Sequence, residues 1–241
     1  MAIILGILFF FTAVLYAAVG FGGGSGYLAV MGLLGVTPEI MRPTALALNI
    51  LVAGIGTWKH IQAGHFPGRL FWPLAVFSIP FAYLGGKLSL PAEVYRPVVG
   101  LILVYAAVRI WRGAGQEEKS AVLPTWLAVG VGALIGFVSG LLGIGGGIFL
   151  GPVLLLTGWA KTRQAMSLTA AFVLVNSVAG LVGNLSVVES LPGELPWWLL
   201  AAGVGGWFGA ELSSKRLASR RLLQLLGIVL VLAALRMFTP A

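Results

Sequence analysis

Residues 100–111 read Gly-Leu-Ile-Leu-Val-Tyr-Ala-Ala-Val-Arg-Ile-Trp, and residues 227–238 read Gly-Ile-Val-Leu-Val-Leu-Ala-Ala-Leu-Arg-Met-Phe. Every difference between the two is conservative or apolar, so the chain holds one hydrophobic segment twice. The pairing extends upstream. Leu84-Gly85-Gly86-Lys87-Leu88-Ser89 answers Phe208-Gly209-Ala210-Glu211-Leu212-Ser213, and Gly20-Phe21-Gly22-Gly23-Gly24 answers Gly143-Ile144-Gly145-Gly146-Gly147. A duplicated hydrophobic half interrupted by glycines is the pattern of a secondary transporter, whose site is expected where the broken segments meet.

Composition sets the class. The 241 residues are 59% hydrophobic and 9% charged, and the mean hydropathy is +1.02, which excludes a water-soluble domain of ordinary make-up. Residues 1–38, 43–58, 70–86, 97–108, 120–160, 164–188, 195–210 and 222–235 carry no charge, and most of these runs suffice to cross roughly 30 Å of hydrocarbon. The expectation is an all-α polytopic membrane protein. Its first repeat is 1–112, its linker 113–121, predicted cytoplasmic, and its second repeat 122–241. The amino-terminal run lacks the basic start of a secretory signal and is expected to be retained. With no cysteine, thiolate and disulfide chemistry are excluded.

The net charge of +8 follows topology rather than nucleic acid, because Lys and Arg cluster at segment ends without a basic stripe. Eleven of the fifteen basic residues fall in segments 58–69, 109–121, 159–163 and 211–221. If those segments are cytoplasmic, the basic loop 58–69 and its acidic counterpart 184–195, with Glu189 and Glu194, lie on opposite sides. Such an arrangement requires inverted repeats of about five segments each, with both termini periplasmic. The opening of each half, 1–36 and 122–158, reads either as two short crossings or as a re-entrant hairpin bent at the glycines.

Those glycines are the first candidate site. Gly22, Gly23 and Gly24, with Gly145, Gly146 and Gly147, break their helices, and the freed N–H groups with the positive end of the following helix form an anion cradle. The alternative is close helix packing through small residues. A dinucleotide fingerprint is not supported, and no phosphate loop occurs. Behind each cluster a polar series recurs every seven residues: Arg42, Asn49 and Gly56, then Thr169, Asn176 and Gly183. Heptad spacing keeps each series near one side of its helix. Asn49 and Asn176 are therefore candidates to donate amide N–H to an anion, or to form an interhelical hydrogen bond. Thr44 and Ser167 add hydroxyls near the helix starts, or bond their own backbone.

The charged residues allow two readings each. Arg42 is either an oxoanion ligand or a snorkelling interfacial side chain. Lys87 and Glu211 hold near-matching repeat positions and form a gate pair or stay solvated. His60 and His65 are expected to be solvated in a basic loop, with no metal-site spacing. The chain has no Asp, and no Glu lies inside an apolar run, so a carboxylate proton relay is not expected. Trp72, Trp111, Trp126, Trp197 and Trp198 are expected in an interfacial belt.

The doubled Gly-x-Gly-Gly-Gly clusters, the paired helices with Asn49 and Asn176, the Gly64-His65 loop leading to Trp72, and the endings at 100–111 and 227–238 together resemble the sulfite exporter TauE/SafE family over nearly the whole chain. The resemblance implies a transporter of small sulfur-containing anions (sulfite, thiosulfate, sulfoacetate and other organosulfonates) in the bacterial inner membrane. It leaves substrate and direction open. Ser25-Gly26-Tyr27 stands where the second half has Ile148-Phe149-Leu150, and these unequal half-sites suit an asymmetric substrate such as a carboxylate-bearing sulfonate. The expectation is alternating access around a midplane anion, with no cofactor or metal, no enzymatic residue set and a homodimer as a plausible assembly. An anion channel with the same N–H cradle is the alternative.

Overall fold

A computed structural model describes residues 2–112, 123–184, 191–215 and 220–238. The linker 113–121 and Glu189 lie outside the described residues. Ten helices fill the described chain: α1 (Ala2–Ala17), α2 (Gly24–Leu33), α3 (Pro38–Gln62), α4 (Gly68–Lys87), α5 (Ala92–Arg112), α6 (Thr125–Leu142), α7 (Gly147–Leu156), α8 (Thr162–Gly183), α9 (Leu195–Lys215) and α10 (Arg220–Phe238). Helices α3, α6 and α8 combine the length and apolarity of a membrane crossing. The chain is thus an all-helical, multi-pass membrane protein.

Each half opens on one long and one short helix. Helices α2 and α7 have ten residues each, about 15 Å at 1.5 Å per residue, or half the hydrocarbon thickness.

The two halves interlock. Helix α1 lies on α9 as α6 lies on α4, α3 meets α9 as α8 meets α4, and α3 with α8 and α5 with α10 pair directly. Exchanging each helix for the one five places along maps this set onto itself. Glycines set the closest approaches. On α6, a Cβ at Gly132, Gly136 or Gly140 would run into the carbonyl oxygen of Leu74, Ser78 or Ala82 of α4. The matching order shows that α4 and α6 run parallel. The same contact is duplicated, since Gly85 faces the Phe137 carbonyl and its counterpart Gly209 faces that of Val14. Without side chains between them, the backbones close to Cα–H···O distance. Helices α3 and α8 run antiparallel: a Cβ on Gly56 would lie 3.6 Å from Ala170 Cβ, and one on Gly180 would lie 3.6 Å from Leu46 Cδ1.

The outer faces stay apolar. Ile3, Ile7 and Phe11 of α1, Val76 and Phe77 of α4 and Leu200 and Phe208 of α9 are exposed, as side chains facing lipid must be. Trp72, Trp111, Trp126 and Trp197 are exposed. Trp198 departs from the expected belt: it is buried against Phe9, and its indole N–H donates to the Ala2 carbonyl at 3.0 Å.

Candidate functional site

The two glycine breaks meet. After α1 the chain passes Gly20, Gly22 and Gly23 at φ of +79°, +58° and +123°; after α6 it passes Gly143, Gly145 and Gly146 at +77°, +81° and +85°. Other residues reach this left-handed region at a cost of about 1–2 kcal/mol, so the breaks belong to glycine by conformation. Gly24 and Gly145 belong to it by space as well. A Cβ on Gly24 would overlap the Ile144 carbonyl of the other break and stand 2.6 Å from Asn49 Nδ2. On Gly145 it would stand 2.7 Å from Val173 Cγ1, 2.9 Å from Asn49 Nδ2 and 3.0 Å from Ser177 Oγ. Val173 also touches the Cβ positions of Gly22 and Gly147, at 2.6 and 2.7 Å, and Thr169 Cγ2 lies 3.1 Å from that of Gly147. One crossing therefore unites both clusters, Asn49 of α3, and Thr169, Val173 and Ser177 of α8.

The electrostatics of the crossing come from helix ends. The first bond of α2 runs from the Tyr27 amide to the Gly23 carbonyl, at 2.9 Å, and the first of α7 from the Phe149 amide to the Gly146 carbonyl, at 3.1 Å. The amides before these, from Gly24 to Gly26 and at Gly147 and Ile148, precede the intrahelical ladder and carry the positive end of the helix dipole. Ser25 is engaged, its Oγ 2.9 Å from Tyr16 Oη.

Helices α3, α6 and α8 carry fully buried polar atoms with no partner among the described residues: Asn49 Oδ1, Asn176 Oδ1, and the hydroxyls of Thr44, Ser139, Ser167, Thr169 and Ser177. Leaving such a group unpaired costs about 1–3 kcal/mol. Thr44 and Ser167 do not bond their own helices, contrary to the local alternative.

The asparagines are oriented differently from expectation. Asn49 Nδ2 donates to the Ile144 carbonyl at 3.3 Å, and Asn176 Nδ2 to the Phe172 carbonyl at 2.8 Å. One N–H of each amide bonds a backbone carbonyl, and each Oδ1 has no partner among the described residues.

Arg42 packs against the second break, its Cγ 2.9 Å from the Cβ position of Gly143, and caps α4. Its Nε donates to the Gly140 carbonyl at 3.2 Å, Nη1 to Leu88 at 2.6 Å, and Nη2 to Gly85 and Gly86 at 2.9 and 2.5 Å. The guanidinium has five N–H groups, and its four bonds go to carbonyls at the end of α4, which helix geometry leaves without donors, and to Gly140, which ties α6 to α4. Arg42 is buried at 6% exposure rather than snorkelling to the surface. Beside it, a cavity of about 90 Å³ is lined by Pro38, Glu39, Arg42, Ser89, Leu90, Tyr95 and Asn184.

The opposite end carries two corrections. His60 is fully buried rather than solvated, its Nε2 3.3 Å from Ser213 Oγ. Glu211 pairs with Lys59 rather than Lys87, and Lys59 Nζ also stands 3.8 Å above the Trp207 ring. Lys87 lies 5.0 Å from the Tyr83 ring. Arg163 Nη1 reaches His65 Nε2 at 3.1 Å. These contacts join the ends of α3, α8 and α9.

Comparison with known proteins agrees with this architecture. The sulfite exporter TauE/SafE family model matches residues 5–237. The chain belongs to this family. A probable membrane transporter protein of Sinorhizobium fredii, y4hK, is 42% identical over 241 residues, covering 98% of each chain. Probable membrane transporter proteins of Bacillus subtilis, YjnA, and of Xylella fastidiosa strain Temecula1 are 26% and 25% identical over 222 and 232 residues, covering 80% and 89% of this chain and 85% and 87% of their own. No solved structure matches. The chain is thus a multi-pass membrane transporter of the TauE/SafE type.

Ser177 escaped sequence reading although it neighbours Asn176. Only the antiparallel pairing of α3 with α8 brings it to Asn49, and no sequence periodicity carries that register.

Proposed function

We propose that this TauE/SafE protein carries small sulfur-containing oxoanions, among them sulfite, thiosulfate, sulfoacetate and related sulfonates, across the bacterial inner membrane by alternating access. The meeting of the two glycine breaks carries the reading. Two half-length helices begin there, and their leading amides converge on a buried place between α3 and α8. Backbone N–H groups and the Thr169 and Ser177 hydroxyls supply the donors an oxoanion needs, about 1.5–3 kcal/mol for each charge-assisted bond, which offsets part of its dehydration. In this reading Asn49 holds the second break in place through Ile144, and Arg42 holds the end of α4.

Inverted halves fit the antiparallel course of the equivalent helices α3 and α8 and the exchange pattern of helix contacts. With five helices per half and the basic loops inside, both termini are periplasmic. The halves then rock around the crossing. The clasp of Lys59, Glu211, His65 and Arg163 is placed to close the cytoplasmic end, and the Arg42 cap borders the periplasmic one.

Isothermal titration of the purified protein with sulfite, thiosulfate and sulfoacetate tests the site. Saturable binding of one or more, lost in Gly145→Val, is the expected result. Full binding in that variant places the anion elsewhere, and binding of none removes sulfur oxoanions as substrates. Tighter binding of sulfoacetate than sulfite is expected from the unequal half-sites, and equal affinities remove that preference.

A further inference from the structure

The two unpaired amide oxygens near the crossing have the wrong polarity for an anion. Asn49 Nδ2 faces the Ile144 carbonyl at 3.3 Å and Asn176 Nδ2 faces the Phe172 carbonyl at 2.8 Å. Turning either amide over would set oxygen against oxygen, so each Oδ1 is the atom left free. Both side chains are fully buried and both oxygens lack a partner. An amide oxygen only accepts, and an oxoanion offers it only lone pairs.

We propose that Asn49 Oδ1 and Ser177 Oγ, with backbone carbonyl oxygens of the α6–α7 break, form a site for a small alkali cation, Na⁺, that binds together with the transported anion. It rests on the reading that the same crossing holds the anion. Three observations carry it. Asn49 Nδ2 and Ser177 Oγ stand 2.9 and 3.0 Å from the Cβ position of Gly145, so the Asn49 amide group, which carries Oδ1, is a neighbour of Ser177 Oγ. Ser177 Oγ is itself fully buried and unpartnered. The break also supplies both signs of dipole: α6 ends there with its negative pole while α7 begins with its positive one. A hard cation takes such neutral oxygens, and unwound carbonyls at helix ends suit it.

The pairing has an energetic reason. A cage of neutral oxygens compensates a buried cation weakly, and a cradle of amides compensates a buried anion weakly. Side by side, each ion supplies the other's missing counter-charge in a medium of low dielectric. Binding of each must then strengthen binding of the other by the same factor. Asn176 Oδ1, on the next residue of α8, remains available as a further ligand as the helix turns during the transport cycle.

Purified full-length protein is melted in NaCl, KCl and choline chloride at equal ionic strength, and the same preparation in proteoliposomes is assayed for ³⁵S-thiosulfate uptake with each salt outside. Na⁺ is expected to raise the melting temperature where K⁺ and choline do not, and to lower the thiosulfate concentration for half-maximal uptake about tenfold, within the range usual for coupled sites. Ser177→Ala should abolish both effects, and Ser177→Thr, which keeps the hydroxyl, should retain them. Thiosulfate uptake that is identical in the three salts, with no Na⁺-specific melting shift, overturns the cation site and leaves the anion carrier standing. A Na⁺ shift lost in Ser177→Ala without uptake of any sulfur oxoanion supports the cation site and overturns the anion reading. A Na⁺ effect unchanged in Ser177→Ala overturns the location.

Discussion

Helices α3 and α8 hold equivalent places in the two halves, yet the same positions do different work. Asn49 reaches across to the Ile144 carbonyl of the opposite half, whereas Asn176 folds back on Phe172 of its own helix. Seven residues earlier, Arg42 binds three carbonyls at the end of α4 and one on α6, while its counterpart Thr169 has a hydroxyl with no partner among the described residues. Duplication built a symmetric frame, and divergence turned the first half's polar series into fasteners. In the second half's series the Thr169 hydroxyl and Asn176 Oδ1 have no partner among the described residues. Stability and transport should therefore respond oppositely to substitutions in the two helices.

The sharpest test is at the first pair. Arg42→Met removes four charge-assisted bonds worth about 1.5–3 kcal/mol each, not additive, and uncovers the end of α4 inside the protein. A loss of about 4 kcal/mol or more is expected in a detergent unfolding titration. Thr169→Val at the equivalent position removes an unpaired hydroxyl and should be neutral or slightly stabilising while it weakens anion affinity. If both variants unfold alike, the division of labour is wrong.

Glycine offers the next contrast. Gly35 and Gly145 share a positive φ, +73° and +81°, but nothing lies within 4 Å of a Cβ on Gly35, whereas one on Gly145 meets Val173, Asn49 and Ser177. Gly35→Ala should cost only the conformational term of about 1–2 kcal/mol and leave uptake intact. Gly145→Ala adds overpacking, typically about 1–3 kcal/mol, and should abolish uptake. Equal stability losses from the two would show that contact at the crossing is not felt.

The asparagines give a smaller effect. Asn49→Leu breaks a bond between the halves and should lower stability by about 1 kcal/mol more than Asn176→Leu, whose bond is local. Chemical unfolding of the two variants side by side checks the order, and the reverse order would remove Asn49 as the tie. Least of all, Glu211→Gln should change stability by under about 1 kcal/mol because the Lys59 pair is partly exposed. It should nevertheless speed solvent access to a cysteine placed at the buried His60, measured by maleimide labelling. An unchanged labelling rate would deny the clasp a gating role.

Much of this was legible in the chain. The repeat at 100–111 and 227–238 announces α5 and α10, which pair directly, and the glycine clusters mark both breaks because three adjacent glycines cannot sustain a helix between apolar runs. The heptad series sets Arg42 with Asn49, and Thr169 with Asn176, near one side of their helices, and all four are buried, Arg42 included, although snorkelling is one of its two readings. What remained hidden depends on distant register. That the asparagine N–H groups would meet carbonyls rather than a ligand follows from where Ile144 and Phe172 O lie, and spacing along one helix does not encode it. His60 reads as a loop residue from its basic neighbours and is buried because α9 covers it with Ser213. Gly132, Gly136 and Gly140 read as ordinary apolar-run glycines until α4 is laid against them.

Counterflow tests the central claim most directly. Proteoliposomes containing the purified protein, loaded with unlabelled thiosulfate, sulfite or sulfoacetate, are placed in the same labelled anion. A carrier with its site at the glycine crossing gives saturable uptake accelerated by internal substrate. Unsaturable flux indifferent to internal substrate would mean a continuous pore, and no flux of any of the three would contradict the assignment of sulfur oxoanions to this site.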